Sequence, residues 1–169
     1  MQKFALAIAL ISSVAVCASK PAYSASTEDP RPSLLASLDG DWVMVGDVRG
    51  KPVTYKLVVT PVLGNTFTEL HMKDVQVPAH YEARVFIGYD KESNQIIAHW
   101  LDNFGAKYSI PHGTGNITEN TIQFQIPYSH GPFRDTLTFD PIKKTWLFEI
   151  EASESSGNWK HFAKYEIKK

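Results

Sequence analysis

Residues 121–153 read TIQFQIPYSHGPFRDTLTFDPIKKTWLFEIEAS, and their pattern decides the fold. Ile122, Phe124, Ile126 and Tyr128 alternate with Thr121, Gln123 and Gln125, while Trp146, Phe148 and Ile150 alternate with Leu147, Glu149 and Glu151. A period of two puts one set on a dry face and the other on a wet one, which is the pattern of a half-buried strand. Ser129 to Pro132 and Asp140 to Lys144 supply the turn residues between runs. The middle run holds Phe133, Arg134, Asp135 and Leu137, and its alternation leaves the side taken by Arg134 open.

The same pattern extends in both directions. Tyr55, Leu57 and Val59 alternate with Thr54, Lys56, Val58 and Thr60. Further turn signals fall at 49–51, 64–65, 73–78, 90–95, 103–105, 115–120 and 153–158, giving nine turns and ten strand-length runs from Asp41 onward. Connections of two to six residues permit antiparallel hairpins and leave no room for crossover helices, so the runs form a meander. No long amphipathic helix is present to cover the apolar face, and rolling up buries it while removing the sheet edges. The expected fold is all-β: a single up-and-down antiparallel β-barrel of about ten strands. Ser33 to Asp39, with an N-cap candidate and helical spacing, adds a short N-terminal helix stopped by Gly40.

Composition sets the broad limits. The chain has 169 residues, 43% apolar and 21% charged, which is globular rather than disordered. Met1 to Lys3 followed by the apolar run Phe4 to Ala18 is too short for a comfortable membrane span, and Ala22-Tyr23-Ser24 offers a cleavage site. Residues 1–24 are therefore expected to be a signal peptide, with Val16-Cys17-Ala18 as an earlier alternative cut. Residues 25–32 are expected to be a flexible linker, and 33–169 the barrel domain. The expected location is periplasmic or secreted. Cleavage would remove Lys3, Lys20 and Cys17, leaving 15 basic against 18 acidic residues, a net −3. That balance and the missing thiol disfavour nucleic-acid binding and disulfide chemistry, and no stable membrane insertion is expected after cleavage.

Gly40-Asp41-Trp42 is similar to the Gly-x-Trp opening of lipocalin-like (calycin) barrels. Thr60 to Gly64, Ile87 to Asp90, Trp100-Leu101-Asp102, Gly113-Thr114-Gly115 and Arg134, in that order, resemble a bacterial lipocalin-like family of unknown function over about residues 36–168. The resemblance implies a closed barrel with a possible small-molecule cavity and carries no activity. It also implies a basic residue from the last strand over Trp42, here Lys164 or Lys168.

A void of about 300 Å3, at about 24 cal/mol per Å3, would cost on the order of 7 kcal/mol if empty, so water, ligand or side chains must fill it. Tyr55, Phe86, Trp100, Phe124 and Phe148 fall on candidate inner faces and make an amphipathic or hydrophobic small molecule the leading partner. If Phe86 points inward, so do Glu82 and Arg84; the resemblance implies that Trp100 and Asp102 lie inside, and with the loop Lys91 to Gln95 this sets Arg84 opposite Asp102 as a clamp or as an anchor for a polar head group. In the opposite register Tyr81, Ala83, Val85 and Ile87 point inward and the charges are solvated. An inward Arg134 would receive a carboxylate.

The six histidines include no short metal spacing, and no metal, haem or other cofactor is expected. His161 shares a face with Trp159, Ala163 and Tyr165 and reads as a core histidine. No nucleophile, phosphate-loop or metalloprotease motif occurs, so an enzyme would depend on Glu82 and Asp102 as acid and base. The expected function is an exported carrier with Tyr55, Arg84, Phe86, Trp100, Asp102, Phe124, Arg134 and Phe148 at its binding site. The alternatives are an enzyme on the same barrel, or an interaction module with a filled core and an exposed patch such as Val43 with Val45.

Overall fold

The computed structural model describes residues 29–169. The expected signal peptide lies outside them. A short helix, α1 (Ser33–Ala36), precedes ten antiparallel strands: β1 (Gly40–Val48), β2 (Lys51–Val62), β3 (Phe67–Asp74), β4 (Glu82–Asp90), β5 (Gln95–Asp102), β6 (Gly113–Ile117), β7 (Thr121–Ile126), β8 (Phe133–Asp140), β9 (Thr145–Ser153) and β10 (Trp159–Lys168). Each strand pairs with its neighbour in sequence, and β1 pairs with β10, so the sheet closes on itself. This is the expected up-and-down barrel, and its closure is consistent with a lipocalin-like barrel.

Alternation decides which side chains go inside. Leu57, Leu70, Val85, Ile96, Ile122, Leu137 and Ile167 are buried, and the residues between them carry most of the charges. In β4 the inner set is Ala83, Val85 and Ile87, and Phe86 and Arg84 face outward. The expected inward placement of Phe86 and Arg84 is therefore corrected. Turning Ala, Val and Ile inward buries three apolar side chains and leaves Glu82 and Arg84 hydrated, whereas the other parity would bury both charges. Several connections are longer than expected. The β3–β4 connection runs over 75–81, and the β5–β6 connection over 103–112 contains one 3-10 turn at Ala106–Tyr108.

The base of the barrel is closed by the N-terminal segment. Leu35 and Leu38 are fully buried, and Leu38 O accepts a hydrogen bond from Trp42 Nε1 at 2.6 Å. Pro32, rather than a serine, occupies the N-cap of α1. The last residues of the expected linker, 29–32, are tied down: the Arg31 guanidinium donates to Asp29, Asp39 and Thr68 at 2.7–3.1 Å. Lys169, not Lys164 or Lys168, lies over the Trp42 ring, 3.8 Å from its centroid. Lys164 and Lys168 share the outward parity of β10, where they pair with Glu149 and Glu166. His161 is likewise outside. A bulge between His161 and Ala163 breaks the alternation, and the imidazole meets Asp47 at 2.7 Å.

The closing seam between β1 and β10 is tight. A Cβ added at Gly46 would lie 1.8 Å from the main-chain oxygen of Lys164. Gly46→Ala is expected to force the seam apart and to cost about 3 kcal/mol, at the upper end of overpacking effects, read from urea unfolding midpoints. An unchanged midpoint would show that the strands separate there at little cost. Arg31→Ala, which strands the buried Thr68 hydroxyl and two carboxylates, is expected to cost about 3 kcal/mol in the same measurement.

Candidate functional site

With α1 on the base, the connections β1–β2, β3–β4, β5–β6, β7–β8 and β9–β10 all lie at the opposite end, the mouth. Four tyrosines converge there from separate elements: Tyr55 from β2, Tyr81 just before β4, Tyr128 after β7 and Tyr165 from β10. Four of the ring-to-ring steps among Tyr81, Tyr55, Tyr165, Phe148 and Trp100 have centroid separations of 5.7, 5.7, 5.9 and 6.4 Å. The circuit is closed by Trp100 Nε1, which donates to the Tyr81 hydroxyl at 3.1 Å. That hydroxyl in turn faces Asp102 Oδ2 at 3.4 Å, and the Phe104 N–H caps the other Asp102 oxygen at 3.0 Å. The Phe104 ring covers Tyr81 with centroids 5.6 Å apart, yet remains 68% exposed.

Buried phenols and carboxyls perturb one another at this end. Burial pushes the Tyr81 phenol well above its ordinary range, and the Asp102 charge adds to it. Tyr165 is raised by burial and by Tyr55, and Tyr128 is pushed up to about 12 by burial and then by Asp135 and Asp102. All four remain protonated donors at neutral pH. Asp135, opposite Phe124 on β7 and Ile150 on β9, is 2% exposed. Burial alone raises its carboxyl well above the usual range, with no donor or cation to offset it among the described residues.

Several candidate residues are placed as expected. Tyr55, Trp100, Phe124 and Phe148 are buried in the lumen, and Asp102 follows the inward parity of Trp100 at the rim. Others are elsewhere. Arg84 lies opposite Leu101, not Asp102, and pairs with Glu69 on the outer wall. Phe86 sits beside Glu69 and His99 on that wall. Arg134 is outside as well: it pairs with Glu151 at 2.6 Å and stacks over Trp159 at 4.4 Å from the ring centroid. Glu82 is held outside by His71 and Lys73, which keep its carboxyl below the usual range, so Glu82 and Asp102 occupy opposite faces and share no site. Val43 and Val45 are exposed on β1, next to Lys168 and Glu166 of β10.

Sequence reasoning passed over Asp135, Tyr81, Tyr128 and Tyr165 as site residues. The signal for Asp135 was available: Phe133, Leu137 and Phe139 share its parity, and all pack on the core.

Two concavities mark the outer wall. One of about 400 Å3 is lined by Pro111, His112, Thr114, Gln125, Pro127 and Pro132; the other, of about 500 Å3, lies over β6 and β7 near Asn94 and Gln123. The wall is thinnest beside Trp100: β5 and β6 pair only over Ile96 to Ala98, so the mouth half of β5 is flanked by residues 103–112 instead. Around it Val75, Val77, Phe104, Tyr108 and Ile110 are exposed, Val77 at 97%. Among the described residues, no group of three or more His, Cys, Asp or Glu side chains is arranged to hold a metal ion.

No family model matches the chain, and no curated protein matches it.

The buried acid has a measurable signature. An unfolded aspartate ionises near pH 3.9, whereas Asp135 holds its proton to a higher pH in the folded state. The folded form therefore binds more protons above pH 4, and stability falls as pH rises until Asp135 itself ionises. Asp135→Asn removes this loss. Its unfolding free energy relative to the parent, read from urea midpoints, is expected to climb as pH is raised from 4, by at most about 1.4 kcal/mol per unit. A difference that stays flat with pH would contradict a protonated Asp135.

Proposed function

We propose that this chain is an exported, lipocalin-type barrel that binds and carries a small amphipathic molecule, and that the molecule is held at the mouth. The observation that supports this reading is the Trp100–Tyr81–Asp102 hydrogen-bond relay, set within an aromatic circuit and covered by an exposed phenylalanine. Polar groups in a fixed array beside apolar surface are what orient a ligand with one wet and one dry end. The exposed Val75, Val77, Phe104 and Ile110 supply dry surface around the relay. Admission requires Phe104 to move off Tyr81, which its exposure allows without opening the barrel. Export and the periplasmic or secreted location rest on the N-terminal segment, and membership of the lipocalin-like group rests on the Gly40-Asp41-Trp42 opening together with the closed barrel.

A second reading, an interaction module with a filled core, is favoured by one observation. The two concavities lie on the outside, and the barrel's own rings occupy the lumen. In that case the exposed rim would contact another protein.

Native mass spectrometry of gently purified protein, followed by denaturing extraction, separates the readings. The carrier reading expects a retained small molecule. It also expects Tyr81→Leu to weaken rebinding of the extracted compound at least tenfold by calorimetry, while Arg84→Ala, on the outer wall, leaves rebinding unchanged. Loss of binding with Arg84→Ala and not with Tyr81→Leu would move the site away from the mouth.

A further inference from the structure

The residues at the mouth also define the charge of what they bind. This step rests on the carrier reading above. The two arginines that would have received an anionic head group are both turned outward and already paired, Arg84 with Glu69 and Arg134 with Glu151. The groups that face the mouth are carboxyls and phenols: Asp74 from β3, Asp102 from β5, Asp135 from β8, and Tyr55, Tyr81, Tyr128 and Tyr165. Several cations at this end are already engaged. Arg49 stacks on Phe162, Arg134 on Trp159, and His80 lies 3.8 Å from Asp74. An anionic ligand would meet three acidic side chains, Asp74, Asp102 and Asp135.

Among these acids Asp135 stands apart. It is a 2% exposed acid with no donor or cation partner among the described residues, and its field reaches Tyr128 and Tyr165 in the aromatic cluster. A buried polar group left without a partner is destabilising, and such groups are retained where a ligand or a function completes them. Electron-rich ring faces attract a cation placed within about 6 Å of their centroids, and they bind poorly hydrated ammonium groups best. The circuit Tyr81, Tyr55, Tyr165, Phe148 and Trp100 supplies five such rings, and Tyr165 among them lies within reach of the Asp135 charge.

We propose that the mouth is a site for an organic ammonium ion, a primary or methylated amine on an apolar body, with its nitrogen among the rings of Tyr55, Tyr81, Trp100 and Tyr165 and its charge balanced by Asp135, with Asp102 beside it. A metal cation is a poor fit, since the donors are mostly rings and phenols. Binding the ammonium requires the Asp135 carboxylate, so the proton that Asp135 holds in the free protein is released to water on binding. Affinity for the cation therefore rises with pH up to the point at which Asp135 ionises unaided.

The test uses three probes with one apolar body: 2-phenylethylamine, 2-phenylethanol and 3-phenylpropionate, titrated into the purified protein by calorimetry between pH 5 and pH 8. The amine is expected to bind at least tenfold more tightly than the alcohol at pH 8, with the propionate weakest. Its affinity is expected to rise with pH by at most about tenfold per unit. Titrations in two buffers of different ionisation heat are expected to show proton release at the acidic end. Asp135→Asn, nearly isosteric with the neutral acid, is expected to abolish the pH dependence and most of the amine preference while the alcohol binds as before. Asp102→Asn serves as the second variant, with a smaller loss for the amine alone. Equal or tighter binding of the alcohol or propionate overturns the ammonium assignment and leaves the mouth site standing, as does a folded Asp135→Asn that keeps the preference. Absence of binding by all three probes at millimolar concentration overturns the mouth site and the assignment with it.

Discussion

A closed antiparallel barrel allows each strand only two parities, and the choice in one strand is locked to its neighbours by pairing. In β4 the choice lies between burying Ala83, Val85 and Ile87 and burying Glu82, Arg84 and Phe86. The aliphatic set goes inside because no interior partner could repay the desolvation of a glutamate and an arginine. Everything functional about the molecule follows from this constraint. The basic side chains end on the outer wall in cross-strand pairs, such as Arg84 with Glu69, Lys164 with Glu149 and Arg134 with Glu151. Toward the mouth the inward polar groups include the acids Asp102 and Asp135, the tyrosine phenols and the Trp100 indole.

The two ends of the barrel then differ in kind. At the base, a guanidinium is fully matched: Arg31 meets two carboxylates and a hydroxyl, and Lys169 lies on Trp42 under a carbonyl of Asp39. Matching of that sort rigidifies an end and closes it. At the mouth the polar groups are incompletely matched. Asp135 has no counter-charge, and the Tyr81–Asp102 contact at 3.4 Å is long for an O–H···O hydrogen bond. One end holds the fold together, and the other retains unsatisfied capacity to interact.

The fold was legible in the sequence because period-two alternation and turn residues are local signals, and closure follows from the lack of any helix able to cover the apolar face. Strand number, the meander, the Trp42 opening and the inward Tyr55, Trp100, Phe124 and Phe148 could all be read. Parity was readable in principle but was misjudged in β4, where a single bulky ring at Phe86 outweighed three smaller aliphatics. In β10 the bulge after His161 shifts the alternation by one, and a bulge leaves little trace in composition. The basic residue over Trp42 was assigned to β10 itself, whereas the chain reaches the ring only one residue past the strand, at Lys169. The site was harder to see. Its groups come from β2, β5, β8, β10 and two connections, and no sequence spacing records that a barrel brings them to one end. An isolated aspartate within an amphipathic strand gives no sign that its partner is missing.

The pairing of β1 with β10 has a consequence for how the protein is made. The final strand, Trp159–Lys168, is made after the other nine, and until it is present β1 and β9 both display unbonded main-chain edges. A chain emerging in order cannot complete the ring before β10, so the partly built sheet is exposed to aberrant strand pairing until that strand emerges. Holding the chain extended until its end is available, as a helper protein or passage through a translocation channel would do, removes that hazard. The late-arriving strand also carries Tyr165, so the aromatic circuit at the mouth is completed in the same step that seals the wall.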